Sequence, residues 1–221
     1  MAGYSATLSR VEDYFDRSAT KVWERLTSDA PVSRIRQTVR EGRDRMRALM
    51  LSRLPADLSG CRVLDAGCGA GQMTADLAAR GAEVMAVDIS PALVNIAKAR
   101  LPAEHAGRVT FASGDMTSDH GTFDYVVAMD SLIYYGTADI TQALSRLGAR
   151  TSGAVVFTVA PRTPFLMAFW TLGRAFPRAD RSPVMVPHAH ATLTRETGGK
   201  VTRIDRISRG FYISECLEYR P

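Results

Sequence analysis

The chain has 221 residues, 46% of them hydrophobic and 23% charged, which is the composition of a soluble protein with one sizeable α/β domain. No apolar stretch approaches the roughly 20 residues needed to span a bilayer, and the N-terminus MAGYSATLSRVEDYF lacks the apolar run of a secretory signal. The three cysteines, Cys61, Cys68 and Cys216, do not have the spacing of a metal site. They predict reduced thiols in a cytoplasmic protein without a metal centre of its own.

Charge divides the chain into three parts. Residues 1–54 hold 11 basic and 7 acidic side chains, residues 55–160 hold 7 and 11, and residues 161–221 hold 10 and 5, which gives the net charge of +5. An acidic middle between basic ends suits an acidic substrate or an anionic membrane surface, although ordinary solvated surface charge accounts for the pattern equally well. The sequence shows no basic stripe interleaved with aromatic residues, so a nucleic-acid partner is not expected.

Residues 1–54 are predicted to form a helical arm or cap. Between residues 11 and 26 the apolar positions repeat on one helical face, and residues 32–53 form a second amphipathic helix with its arginines largely on the other faces. Pro55 and the DLSG stretch that follows mark a turn. Residues 55–221 are then predicted to form the main domain.

From residue 61 onward, short apolar runs alternate with helical stretches: RVLDAG, MTADLAARG, EVMAVD, PALVNIAKARL, RVTFAS, FDYVVAM, DITQALSRLG and GAVVFTVA. This alternation predicts βαβ units and a mostly parallel sheet with helices on both faces. Residues 161–198 differ, with an apolar, aromatic segment and a proline-bearing loop, and are predicted to be an insert. The last two runs, KVTRIDRIS and FYISECLEY, predict an antiparallel hairpin.

The run VLDAGCGAG at 63–71 places three glycines on alternate positions directly after the first predicted strand. Glycines accept positive φ and let a ligand approach the backbone, which would serve NAD, FAD or S-adenosylmethionine (SAM). Asp65 distinguishes between these candidate ligands, because a carboxylate repels a pyrophosphate but attracts the α-ammonium and sulfonium groups of SAM. The chain also lacks a GxxxxGK[ST] phosphate loop. The loop therefore favours a cationic ligand.

Two further aspartates stand where an adenosine needs hydrogen-bond acceptors. Asp88 ends the second predicted strand about 20 residues after the loop, a position from which a carboxylate accepts from both ribose hydroxyls. Asp115, in FASGDM after the third strand, is expected to accept from the adenine amine while Met116 packs on the ring.

In this order and spacing, VLDAGCGAG, VDIS and FASGDM resemble the class I SAM-dependent methyltransferases. The resemblance implies a Rossmann-like α/β fold with a seven-stranded, mostly parallel sheet, an antiparallel last strand and a lid insert between strands 5 and 6. It implies SAM as the cofactor. The expected cofactor-binding residues are Asp65, Gly67, Cys68, Gly69, Gly71, Asp88, Ile89, Asp115, Met116 and Asp130.

The methyl acceptor is chosen by elements outside this core: the arm, the AMDSLIYYG stretch at 128–136 and the insert. These elements offer aromatic residues beside arginines, which suits a large, flat, apolar molecule bearing carboxylates. The alternative for most of these aromatics is that they pack the helices onto the core. Phe169 and Trp170 could instead contact a membrane.

A narrower resemblance covers nearly the whole chain. YFDRSATKVWERL, IRQTVREGRDRM, MDSLIYY, FTVAPRTPFL and the terminal RGFYISECLEYRP resemble the magnesium-protoporphyrin IX O-methyltransferases of bacteriochlorophyll and chlorophyll biosynthesis. That family methylates one propionate of Mg-protoporphyrin IX to a monomethyl ester and is associated with magnesium chelatase and with membranes. The resemblance implies the same reaction and partners here, with a cytoplasmic location peripheral to the photosynthetic membrane.

A propionate is ionised at neutral pH, with a pKa of ~4.3, so no general base is required. Two residues are expected to be catalytic. Tyr134 would hydrogen-bond the reacting carboxylate, at a position where members from oxygenic organisms tend to carry histidine. His188 would contact the substrate or its magnesium, unless it is a structural loop histidine. Arg40 or Arg162 would hold a propionate, and the full expected substrate set is Tyr14, Trp23, Arg40, Tyr135 and Arg162.

Three other functions stay open at this point. Another small-molecule methyltransferase, acting on a quinone-like phenol or another hydrophobic acid, would need a general base near the methyl group. A porphyrin carrier would keep the domain without catalysis. A nucleic-acid methyltransferase would carry an NPPY-like motif after the fourth strand, where this chain has MDSLIYY. In the favoured reaction, the arm and the 161–198 insert are expected to act as a lid that excludes water.

Overall fold

The computed structural model describes residues 4–15, 33–175 and 185–221, and for 169, 170 and 172–175 it describes the backbone but not the side chains. The predicted substrate residue Trp23 and the second half of the first predicted helix lie outside the described residues. So does the middle of the insert, residues 176–184.

Two helices precede the sheet. Helix α1, Tyr4–Tyr14, begins seven residues before the predicted start at 11, and helix α2, Arg34–Leu51, agrees with the prediction of 32–53. Ser33 begins α2 as its N-cap, because its hydroxyl accepts from the Arg36 N–H. The buried side chains of α2, Met46 and Met50 among them, pack on the sheet, and α2 contacts the last two strands.

The strands are β1 (Arg62–Ala66), β2 (Glu83–Asp88), β3 (Val109–Ser113), β4 (Phe123–Ala128), β5 (Thr151–Pro161), β6 (Pro187–His188), β7 (Val201–Arg209) and β8 (Tyr212–Tyr219). Their order is β3-β2-β1-β4-β5-β8-β7. The first five pair in parallel, and β8 runs antiparallel to both β5 and β7. The predicted mostly parallel sheet with an antiparallel last strand is confirmed.

One strand was not predicted. The two-residue β6 pairs with the end of β5, so the described sheet has eight strands, of which seven form the continuous path. A two-residue strand that begins with proline has no alternation to reveal it. It lies inside the insert, between β5 and β7, as the prediction of an insert between the fifth and sixth main strands requires.

Helices cover both faces of the sheet. They are α3 (Gln72–Ala79), α4 (Pro91–Arg100), α5 (Thr137–Gly148), α6 (Pro164–Ala175) and α7 (His190–Glu196), with a 3-10 helix at Ala103–Arg108. On β4, Val126 and Val127 are both fully buried, in the cores on opposite faces. No helix among the described residues has the length and apolar character needed to cross a membrane.

The strand order reverses between β1 and β4. At such a switch point the loops after the two neighbouring strands diverge, and a crevice opens at the carboxyl ends of the strands. The glycine loop follows β1, and Asp130 follows β4. The topology therefore brings the glycine loop and Asp130 to the same crevice.

Candidate cofactor and active site

A pocket of about 990 Å³, including its open mouth, lies at the carboxyl ends of β1, β2 and β4. Helix α1 contributes Leu8 and Val11 to the wall, and α2 contributes Arg43 and Arg47. Of the predicted cofactor and substrate residues, the lining includes Asp65, Gly67, Cys68, Gly69, Asp88, Ile89, Met116, Asp130, Tyr134 and Tyr135.

All three glycines of the loop have positive φ, and the reason differs between Gly67 and Gly69. Gly67 has φ 88°, and a Cβ there would lie 2.4 Å from the Cβ of Ser131, so no side chain fits. Gly69 has φ 53°, and a Cβ there would meet nothing within 4 Å, because it faces the pocket. Gly71 begins α3 behind the loop and packs on Ala97, outside the pocket lining.

Asp65 is a buried carboxyl group in the pocket wall. It is 1% exposed, and its Oδ2 accepts a 2.6 Å hydrogen bond from Thr74 Oγ1. Burial raises the pKa of Asp65 to about 7, and the nearby charge of Asp88 acts in the same direction. A cationic ligand in the pocket would favour the ionised form and would itself be stabilised by it.

Asp88 braces the glycine loop. Its Oδ2 accepts from the Gly69 N–H at 2.8 Å and its Oδ1 accepts from the Ser90 N–H at 2.9 Å. The carboxylate is 8% exposed and lines the pocket beside Ile89. Each carboxylate oxygen has two lone pairs, so these bonds are compatible with acceptance from ribose hydroxyls.

Asp115 does not line the pocket, whereas its neighbours Gly114 and Met116 do. Its Oδ1 accepts from the Tyr4 hydroxyl at 2.7 Å and from the N–H and hydroxyl of Thr117 at 2.8 and 2.9 Å. That oxygen is therefore committed to the protein, and the predicted adenine contact would have to use Oδ2. The structure gives Asp115 a role that was not predicted, which is to fasten α1 at this end of the pocket.

Asp130, which follows β4, is the centre of a polar cluster beside the glycine loop. Its φ of 55° is unusual for a residue other than glycine. Its carboxylate pairs with Arg43 at 2.5 Å and accepts from the hydroxyls of Tyr212 at 3.1 Å and Thr158 at 3.2 Å. Next to it, Ser131 Oγ is buried and has no hydrogen-bond partner among the described residues.

Tyr134 and Tyr135 form an apolar, aromatic part of the wall. Both are buried, and burial raises the pKa of each hydroxyl above its usual value. Phe15 meets Tyr134 edge-on at 6.3 Å, and Tyr4 stacks on Tyr135 at 4.9 Å between ring centroids. Tyr14 is half-buried beside Phe15, and it is not among the described lining residues.

Both arginines predicted to hold a propionate lie outside the described lining. Arg162 is exposed at the start of the insert, and its backbone N–H donates to the backbone carbonyl oxygen of His188. Arg40 is half-buried on α2. Arg43, one turn later, lines the pocket instead, because it shares the buried face of α2 with Met46 and Met50.

His188 is also turned away from the pocket. It is 4% exposed, its Nε2 lies 2.9 Å from the Tyr135 carbonyl oxygen and its Nδ1 lies 3.3 Å from Thr137 Oγ1. Since a carbonyl only accepts, Nε2 carries the proton and Nδ1 accepts from Thr137. Burial lowers the pKa of His188 and keeps the ring neutral. This placement favours the structural alternative over a catalytic role.

His188→Ala is therefore expected to lower stability and to spare catalysis. The substitution leaves a cavity and an unpaired carbonyl group, which together cost about 2 kcal/mol, or a fall in Tm of roughly 4–8 °C. Thermal unfolding and kcat at 20 °C would be measured on the same preparation. A change in kcat greater than about tenfold with an unchanged Tm would restore the catalytic interpretation.

Three features of the site were missed. Leu8 reaches the pocket because α1 starts earlier than predicted, and residues 4–10 carry few large apolar side chains that would indicate a helix. Val11 lay on the apolar face of the predicted helix but was not expected in the site. Arg43 could have been found, because it lies three and seven residues before Met46 and Met50. Ser131 has no sequence signal of its own.

Two family models match parts of this chain. A family model described as "Magnesium-protoporphyrin IX methyltransferase C-terminus" matches residues 128–221, and a general "Methyltransferase domain" model matches residues 63–151.

Two relatives and a solved structure cover nearly the whole chain. The chain is 64% identical to a magnesium-protoporphyrin O-methyltransferase of Rhodobacter capsulatus, over 99% of this chain and 98% of that one. It is 30% identical to one of Synechocystis, over 94% of each. The crystal structure of magnesium protoporphyrin IX methyltransferase from Synechocystis PCC 6803 with bound SAH superposes with a TM-score of 0.81, at 27% identity, over 96% of this chain and 99% of that one. This chain belongs to the magnesium-protoporphyrin O-methyltransferase family.

Proposed function

We propose that the protein transfers a methyl group from SAM to one propionate carboxylate of Mg-protoporphyrin IX and so forms the monomethyl ester. Membership of the family supports the reaction. The observation in this chain that carries it is the joining of two surfaces in one pocket. The buried carboxyl of Asp65 and the open Gly69 form one end, and the aromatic wall of Phe15, Tyr134 and Tyr135 forms the other.

The cofactor's own contribution, when it is bound, is an electrophilic methyl group. The protein's contribution is orientation and the exclusion of water, since well-oriented reactants can account for roughly 7–11 kcal/mol of a barrier. An ionised propionate needs no base. Tyr134 is suited to donate a hydrogen bond to it rather than to accept a proton, because burial raises the pKa of its hydroxyl.

Tyr134→Phe is expected to lower kcat/KM by about tenfold without abolishing activity, which is the effect of losing one hydrogen bond to a charged group. The pH profile of kcat above pH 6 should be unchanged. A phenol methyltransferase would behave differently, because removal of its base would abolish the reaction. Steady-state rates would be measured for Tyr134→Phe and for the control Phe15→Leu, which keeps an apolar wall and leaves the Tyr134 hydroxyl in place. These rates would distinguish a carboxylate methyltransferase from a phenol methyltransferase.

The direct test is methyl transfer from labelled SAM to Mg-protoporphyrin IX. Mg-protoporphyrin dimethyl ester, which has no free carboxylate, and the metal-free porphyrin serve as matched acceptors. We expect label in a base-labile ester with the first acceptor and none with the dimethyl ester. Absence of transfer to Mg-protoporphyrin, with SAM bound, would leave the porphyrin-carrier alternative.

We also propose that residues 1–54 and 161–198 form a lid over the domain of residues 55–221. Support comes from α1, whose Leu8 and Val11 line the pocket and whose Tyr4 is hydrogen-bonded to Asp115. Amide hydrogen exchange with and without SAH should show added protection in residues 4–15. Equal exchange in the two states would count against a lid at α1.

Contacts with a membrane surface and with magnesium chelatase belong to the same proposal, since the family resemblance implies both. Ile35 and Phe211 are 57% and 59% exposed. They lie on neighbouring parts of the surface, because Gly210 packs on Thr38, one turn after Ile35. The fraction of protein that cosediments with anionic vesicles should fall when Ile35 and Phe211 are both changed to serine. Copurification with the large chelatase subunit would test the second contact.

A further inference from the structure

The connection from β3 to β4 differs from the other connections between the parallel strands. Helices α3, α4 and α5 lie between β1 and β2, between β2 and β3, and between β4 and β5, whereas the described residues 114–122, which join β3 to β4, contain no helix. Parallel strands are usually joined through a helix, whose backbone carbonyl groups are bonded within it. The carbonyl groups of this connection need other partners.

Arg150 holds the first half of the connection. Its Nη2 donates to the Thr117 carbonyl oxygen at 2.6 Å, and its Nη1 donates to the Ser118 carbonyl oxygen at 2.6 Å and to Asp119 Oδ1 at 3.2 Å. Arg150 lies directly before β5, and its own carbonyl oxygen accepts from the Phe123 N–H at 2.8 Å. Because a guanidinium group is a planar, charged set of donors, it fixes the positions of neighbouring acceptors. Arg150 therefore ties the first half of the connection to the sheet.

Arg62 holds the second half in a similar way. Its Nη2 donates to the His120 carbonyl oxygen at 2.9 Å and its Nη1 donates to the Thr122 carbonyl oxygen at 2.8 Å. Its guanidinium carbon lies 4.6 Å from the centroid of the Phe123 ring. These contacts are made further along the connection from the pocket-lining residues 114 and 116 than those of Arg150. Arg62 is thus a matched arginine on the same connection.

Thr117 connects Arg150 to Asp115. The buried Thr117 uses its carbonyl oxygen for Arg150, and its N–H and hydroxyl donate to Asp115 Oδ1 at 2.8 and 2.9 Å. Since Oδ1 is occupied, the predicted contact with the adenine amine falls to Oδ2. Gly114 and Met116, on either side of Asp115, line the pocket. A shift of Thr117 would therefore turn the Asp115 carboxylate relative to the pocket.

We propose that Arg150 is a positioning residue that sets the selectivity of the cofactor site for adenine. Arg150 is not among the described lining residues, so it acts through Thr117, which orients the Asp115 carboxylate toward the exocyclic amine of the ring. A carboxylate accepts from an amine and repels an oxo group at the same position, so its orientation decides the selectivity. The inference rests on the proposed function in one respect, the binding of SAM, and it does not depend on the porphyrin.

The test compares two ligands that differ at C6 of the purine: S-adenosylhomocysteine (SAH), which has an amine there, and S-inosylhomocysteine, which has an oxo group. Calorimetric Kd values for both ligands, together with Tm, would be measured for the wild type, Arg150→Met, Arg150→Lys and the control Arg62→Met. The wild type should bind SAH about 30-fold more tightly than S-inosylhomocysteine, which is the range for a hydrogen bond to a charged group.

In Arg150→Met this ratio should fall to less than about threefold, because the Asp115 carboxylate loses its orientation. Arg150→Lys keeps a charged donor without the planar fork, so its ratio should be intermediate, about tenfold. Arg62→Met should lower Tm by an amount similar to Arg150→Met and keep the wild-type ratio, which separates positioning from stability. Retained binding of S-inosylhomocysteine shows that Arg150→Met is folded.

A wild-type ratio in Arg150→Met would overturn the proposal, and so would an equal fall of the ratio in Arg62→Met. Equal affinity of the wild type for the two ligands would also overturn it. These Kd values need no methyl acceptor, so absence of porphyrin methylation leaves them standing. If the wild type does not bind SAH at all, the proposed function and this inference fail together.

Discussion

Asp65→Asn is expected to weaken SAH binding by about 100-fold or more while making the ligand-free protein more stable at pH 8. The loss of affinity follows from removing the buried anion that faces the ammonium group, because a charge-assisted contact of this kind is worth about 3 kcal/mol in a desolvated site. The Asn side chain keeps the size of the carboxylate and an acceptor for the Thr74 hydroxyl.

The gain in stability has a definite sign. The pKa of Asp65 in the folded protein is raised to about 7, whereas an unfolded Asp has a pKa of ~3.9. Between these values the folded state binds more protons than the unfolded state, so stability falls as the pH rises from 4 to 7. At pH 8 the full loss is on the order of 2–4 kcal/mol, and the Asn variant lacks it.

Calorimetry with SAH and thermal melts at pH 5 and pH 8 would check both parts. The variant should gain several degrees in Tm over the wild type at pH 8 and much less at pH 5. Wild-type affinity for SAH in Asp65→Asn would show that the carboxyl is not a ligand group. A lower Tm at pH 8 would show that its ionisation does not oppose folding.

The second large effect concerns Gly67 and Gly69, two of the three glycines of the loop. Gly67→Ala forces a Cβ to within 2.4 Å of Ser131 at a φ of 88°, so strain and overpacking together should cost about 3 kcal/mol, or a fall in Tm of roughly 6–12 °C. Gly69→Ala has a similar backbone restriction, but its Cβ enters open space. It should lose about 1 kcal/mol of stability and about tenfold in SAH affinity, because the methyl group occupies the pocket.

Melting curves and SAH titrations of the two variants form a matched pair. The expected pattern is a large stability loss for residue 67 and a predominantly binding loss for residue 69. Equal melting temperatures would mean that Ser131 moves aside without cost. Full SAH affinity in Gly69→Ala would remove residue 69 from the ligand's path.

The sheet and its glycine loop could be predicted because their signals are local. A strand, a turn and a helix each leave a period within ten residues, and Asp65, Gly67 and Asp88 sit at fixed offsets from strand ends. The parallel order then places them together without further information. The insert at 161–198 was predicted for the same reason, because the alternation of strand-like and helix-like stretches is interrupted there.

The outer wall of the site could not be predicted in the same way. Tyr4 meets Asp115 across 111 residues, and Arg43 meets Asp130 across 87. Such pairs depend on how α1 and α2 dock on the finished sheet. Arg40 was the predicted residue on α2, whereas Arg43, about one turn later, lines the pocket. His188 was assigned to chemistry by residue type, whereas its environment is that of a buried polar group with both nitrogens bonded to the protein.

The central claim is that a buried carboxyl at residue 65 becomes the anion that binds the methyl donor. The most direct measurement is calorimetry of SAH binding at pH 7 in buffers of different ionisation enthalpy, which counts protons. Burial raises the pKa of Asp65 in the free protein to about 7, so part of the carboxyl population carries a proton at that pH. Binding should release a fraction of a proton in the wild type and none in Asp65→Asn. No release in the wild type, or the same release in both proteins, would contradict the account.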